Sequence, residues 1–179
     1  THVLPEPQHW DLLKGQPLHG VIAYVEADYV DELRALRVPV VDVANWRQQG
    51  PFPRVVPDDD AIGVLAADYL TDLGLKHLAT IGFRDAAFYA IRRDGFIRRA
   101  RQLQRDVLAW SSNDALDMRT WLGQLPRPVG LFCGNDGLAA EALEICRHAG
   151  IRVPEDVCVL GVDNDELIGR MTHPPLSSI

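Results

Sequence analysis

Apolar, β-branched runs bounded by glycine or proline alternate along this chain with amphipathic stretches. Gly20–Val25 and Val38–Val43 read as buried strands, with a short helix from Asp28 to Leu36 between them that places Val30, Leu33 and Leu36 on one face. Asn45–Pro53 reads as a loop and Arg54–Val56 as a short strand. The helix that follows is predicted from Ala61 to Leu73, with Gly74 as its stop and an acidic start that suits the helix dipole. His77–Gly82, Val107–Trp110, Val129–Cys133 and Val157–Val162 read as further strands. Between them lie predicted helices from Ala86 to Gln104, from an Asn113 or Asp114 cap to Leu125, and from Asn135 to His148 with Gly150 closing it. A last short helix is predicted from Asp165 to Met171.

Strand and helix alternating in this way predict an α/β fold of mostly parallel sheets joined by right-handed crossovers. A boundary between two lobes is expected near residue 77. The 179 residues, 47% of them hydrophobic, are enough for two small cores. No apolar run approaches the ~20 residues that span a bilayer. The formal net charge of −7 argues against a nucleic-acid-binding face made by this segment as a whole. Arginines do crowd residues 92–105, which reads as a solvated helix or as a local basic patch. The three cysteines form no CxxC pair and read as buried, reduced thiols, as in a cytoplasmic protein. The histidines show no metal-ligand spacing, so no metal is expected.

Candidate chemistry gathers where strands end, which is where open α/β sheets take their ligands. Asp163 follows Gly161-Val162 directly and offers two acceptor oxygens to hydroxyls or an amine. Asp58, in the acidic triplet Asp58-Asp59-Asp60, reads as a helix cap or a ligand contact, and both readings hold together where one Asp caps and another faces the cleft. Arg92, three residues before Gly95-Phe96, reads as a surface arginine or as a planar donor fork aimed at the sheet edge. Asn135 reads as a cap or a polar ligand contact, and Trp110 as a core aromatic or a stacking platform. No GxSxG elbow, GxxxxGK[ST] or GxGxxG occurs, so neither an enzyme nor a bound cofactor is expected.

Several segments, in this order and spacing, carry a family likeness. They include Gly20–Ala23, Val38–Val41, Asp58 with Gly63, Gly74–Ala79, Arg92 with Gly95-Phe96, Phe132–Ala139, Pro154–Val157, Gly161–Asn164 and Pro175–Ile179. The chain resembles the effector-binding region of the lactose/galactose-repressor (LacI/GalR) family. Within it, Asp163–Leu167 and Trp121–Pro126 look most like the xylose-operon regulators. The resemblance implies a two-lobed, type I periplasmic-binding-protein-like fold. Residues 1–77 would belong to a first lobe, incomplete here, 78–175 to the second, and 176–179 to a return crossover. It implies Asp58, Arg92, Trp110, Asn135 and Asp163 as ligand residues. It further implies a sugar effector, a pentose such as xylose, bound with lobe closure in a homodimer. Operator DNA would be read by a module outside this segment. The alternative within the same fold is an extracytoplasmic sugar-binding protein of a transport system.

Overall fold

The computed structural model describes residues 17–46, 49–82, 86–111 and 117–179. By contacts the chain divides into two compact units, Thr1–Pro57 and Asp58–Ile179.

In the first unit, β1 (Val21–Ala23) and β2 (Val40–Asp42) pair in parallel, with Val21 opposite Val40 and Ala23 opposite Asp42. A single 3-10 turn, Ala27–Tyr29, leads into α1 (Val30–Ala35). Leu33 is the buried residue of α1 and packs with Val25 and Val40, while Val30 and Leu36 flank them, as the helical spacing predicts. The expected strand Arg54–Val56 shrinks to one bridge, Asp42 to Arg54. Pro53 and Pro57 lack the N–H groups that would extend that ladder. Asp42 is buried because its Oδ1 accepts from the N–H groups of Val25 at 3.2 Å and Ala44 at 2.8 Å, and the Arg54 guanidinium lies 3.7 Å from Oδ2.

The second unit holds a five-stranded sheet in the order β4-β3-β5-β6-β7, every pair parallel. These strands are β3 (His77–Gly82), β4 (Val107–Ser111), β5 (Val129–Cys133), β6 (Val157–Gly161) and β7 (Ser177–Ser178). The helices among the described residues of the unit are α2 (Asp59–Asp72), α3 (Ala87–Gln102), α4 (Met118–Gln124), α5 (Asp136–Ala149) and α6 (Glu166–Met171). Alternate side chains of β3, β5 and β6 serve two different cores, as the two-residue period of a strand requires. Leu78, Phe132 and Leu160 pack with Ala66, Ala67 and Leu70 of α2 and with Phe96 and Ala100 of α3. Ala79, Ile81, Leu131, Cys133 and Val159 pack with Met118 and Leu122 of α4 and with Leu138, Ala142 and Cys146 of α5. The middle strand β5 is buried throughout, consistent with helices on both faces.

These contacts explain why the division falls at 57/58 and not near 77. Ala66, Ala67 and Leu70 of α2 are fully buried against the five-stranded sheet, so α2 belongs with the second unit. Helices α2 and α3 also meet backbone to backbone. A Cβ at Gly95 would stand 2.6 Å from the Asp60 carbonyl oxygen, and one at Gly63 would overlap the Arg92 carbonyl. The Asn113 or Asp114 cap expected for α4 lies outside the described residues. The cap seen is Asp117, whose Oδ1 accepts from the Thr120 N–H at 2.9 Å.

Candidate functional site

The C-terminal ends of β5 and β6 and the start of α2 converge on one buried side chain. Arg92 extends from the second turn of α3 and is 3% exposed. Its Nε donates to Asp59 Oδ1 at 2.8 Å and its Nη1 to the Gly134 carbonyl at 2.6 Å, just past the end of β5. The same Nη1 lies 3.6 Å from Asp163 Oδ1, and the guanidinium sits 4.9 Å from the centre of the Phe88 ring. The open alternative for Arg92, a surface arginine, is thereby closed. A buried guanidinium needs a counter-charge and several acceptors, and this one has them.

Asp163 follows β6 by two residues, and its side chain is 54% exposed. Its backbone is left-handed, φ 106°, and so is that of Asn164, φ 48°. Such conformations cost non-glycine residues on the order of 1–3 kcal/mol each and persist only where surrounding bonds hold them. Burial pushes the Asp163 carboxyl above the usual aspartate range. The Arg92 charge opposes that rise, while the carboxylates of Asp136 and Asp59 add to it.

Asn135 caps α5, its Oδ1 accepting from the Leu138 N–H at 2.9 Å. The cap uses the amide oxygen, so the amide nitrogen is the part of this side chain that can donate to a ligand. Asp58 caps α2, Oδ1 accepting from the Ala61 N–H at 3.0 Å, and is itself exposed; its neighbour Asp59 is the one that turns inward to Arg92. Trp110 lies one residue from the end of β4. It is 8% exposed, and its ring is tilted against Trp121 at 6.5 Å between centroids within the α4–α5 core. The acidic triplet is thus split as one reading of it allows, with Asp58 capping and Asp59 inward, though no pattern says which member turns in; Phe88 carries no sequence signal, being one aromatic on a helix.

One guanidinium is thus answered by two carboxylates, one buried and one half open. The excess negative charge disfavours an anionic ligand, and the groups left to meet a ligand are acceptors and an amide donor. That is the chemistry of hydroxyl recognition. Among the described residues no group of histidine, cysteine and acidic side chains could hold a metal ion.

Residues 67–179 match the family described as periplasmic binding protein-like domain. The chain belongs to that family. Its relatives are transcription regulators. The xylose operon regulatory protein of Haemophilus influenzae is 28% identical over 96% of this chain and 49% of its own length. The HTH-type transcriptional repressor PurR of Aliivibrio fischeri is 31% identical over 79% of this chain and 45% of its own length. Among solved structures, a periplasmic binding protein/LacI transcriptional regulator from Alkaliphilus metalliredigens, complexed with D-xylulofuranose, superposes with a TM-score of 0.74. It is 20% identical over 96% of this chain and 66% of that one, a likeness of fold. The periplasmic-binding-protein-like family thus accounts for the parallel sheets flanked by helices, and the chain spans about half the length of its curated relatives. No helix among the described residues is long and apolar enough to cross a membrane.

Proposed function

We propose that the chain is the effector-sensing part of a bacterial transcription regulator, and that it takes a neutral sugar, a pentose such as xylose, at the tips of β5 and β6. The observation that carries this reading is the half-exposed Asp163 carboxylate, 3.6 Å from an Arg92 whose charge Asp59 already balances. Asp163 accepts from vicinal hydroxyls, Asn135 donates to one, and Arg92 holds the Asp163 carboxylate toward the ligand. The relatives are named for xylose regulation and for repression, which supports a sensor over the transport-protein alternative. Asp58 and Trp110 are the remaining proposed contacts, Asp58 from beside the Asp59 that anchors Arg92. The sugar acts by lobe closure, which alters the operator affinity of a cytoplasmic homodimer. The DNA-reading module lies outside this segment.

A thermal-shift screen of D-xylose, D-ribose and D-glucose tests the proposal. A ligand at a hundred times its dissociation constant adds about 2.7 kcal/mol of stability. The expected result is a rise in midpoint with a pentose that Asp163→Ala abolishes. A rise that survives Asp163→Ala would remove the site assignment, and a rise with phosphorylated sugars alone would remove the neutral-ligand reading.

A further inference from the structure

Asp163 and Asn164 stand in left-handed backbone conformations on an exposed loop, and a buried carboxylate beneath them explains how. Asp136, the first residue of α5, is 2% exposed. Its Oδ1 accepts from the Ser178 hydroxyl at 2.7 Å and its Oδ2 from the Asp165 N–H at 2.8 Å. The Ser178 oxygen in turn accepts from the Asn164 N–H at 2.9 Å, and the Ile179 carbonyl accepts from the Asp163 N–H at 3.0 Å. Three consecutive N–H groups, 163 to 165, are therefore pinned from below. The Asp136 N–H donates to the Val162 carbonyl at 2.8 Å, which ties the same residue to the chain just before the loop. Gly161 leaves the space: a Cβ there would overlap Asp136 Oδ1.

None of these bonds involves Arg92, and none is needed to cap α5, because Asn135 does that. They converge on the one segment that presents Asp163. We propose that Asp136 and Ser178 form a positioning relay that fixes the Asp163 carboxylate at the ligand site and makes its placement depend on strand β7. This rests on the reading of Asp163 as a ligand residue. Ser178 serves the relay in both directions, as donor to Asp136 and acceptor from Asn164. It is also half of β7, paired with Gly161 on β6. Displacing β7 by the length of one hydrogen bond breaks both links, and with them the restraint on residues 163–165. Occupancy of the site and the seating of β7 are then reciprocally linked, since whatever favours one favours the other.

The deciding measurement needs no ligand. The Asp163 carboxyl carbon is titrated by NMR in the full chain, for the wild type, Ser178→Ala and Ser178→Thr. Releasing the loop lets the carboxyl leave its half-buried place beside Arg92, so in Ser178→Ala its midpoint falls toward the ordinary aspartate value. Ser178→Thr keeps the hydroxyl and the wild-type midpoint. An unchanged midpoint in Ser178→Ala overturns the relay, even if that variant is less stable, because loss of stability alone does not move the Asp163 titration of the folded fraction. If Ser178→Ala does not fold, hydrogen exchange in the wild type decides. The Asn164 and Asp165 amides lie in exposed residues and are expected to exchange slowly; fast exchange at both overturns the relay. D-xylose affinity of Asp163→Ala separates the two readings. Unchanged affinity there, with a Ser178-dependent titration, removes the ligand assignment and leaves the relay standing.

Discussion

Arg92 and Asp163 face each other across 3.6 Å, yet they are built on opposite terms. Arg92 is sealed in protein and bonded to Asp59 and to the Gly134 carbonyl; Asp163 is more than half open, with its backbone N–H bonded to Ile179 and its carboxylate facing Arg92. The first side chain is as much a part of the fold as of the site. The second can change without disturbing a core. A ligand contact read from sequence therefore does not say which kind it is, and mutating the two should separate binding from stability.

The largest effect is expected at Arg92. Arg92→Ala breaks the buried ion pair with Asp59, and removing one partner of such a pair costs about 3–5 kcal/mol. Chemical denaturation should show that loss without any sugar present. An Arg92→Ala protein as stable as wild type would place this side chain with Asp163 and break the contrast. The double variant Arg92→Leu with Asp59→Leu should recover much of the loss, since the two buried charges disappear together.

Asp163→Ala should do the reverse. Loss of a charge-assisted hydrogen bond to the ligand costs about 1.5–3 kcal/mol, or roughly tenfold and more in affinity by calorimetry, while unfolding of the free protein is little changed. Asp163→Asn tolerates the left-handed backbone and separates charge from conformation.

The pH dependence follows from the raised Asp163 carboxyl. A carboxyl whose folded pKa exceeds its unfolded one holds its proton longer in the folded protein. Its stabilising contribution is present below the unfolded value and is lost as pH rises through the folded value. Sugar binding that uses the carboxylate has the opposite slope, weakening as pH falls into that window. Asp163→Asn should flatten both trends, read by denaturation and calorimetry at matched pH.

The smallest effect is expected at Asp58. Asp58→Ala removes the α2 cap and about 1 kcal/mol, whereas Asp58→Ser keeps the cap. A drop in sugar affinity in Asp58→Ser with stability intact would identify a ligand role beyond capping.

Much of this contrast is invisible in the sequence, for physical reasons. The strands β3 and β5 are legible to the residue because dense apolar runs meet glycine, lysine or proline at both ends. Asp163 is legible as a carboxylate just beyond a strand. Asp59 is not, because its inward turn depends on the phase of α2 against α3, two helices whose contact no local pattern records. Trp110 left two readings open, and its burial against Trp121 depends on where β4 sits at the edge of the sheet. The Asp136–Ser178 bond joins residues 42 apart in the chain, a pairing no motif spacing announces.

The two glycines where α2 meets α3 carry a consequence for inheritance. A methyl at position 63 would meet the Arg92 carbonyl and one at 95 the Asp60 carbonyl, so either wedges apart the helices that carry Asp59 and Arg92. Drift at these silent-looking sites is thus felt about one helical turn away, and the Arg92–Asp59 pair can be misplaced without any change to either of its residues.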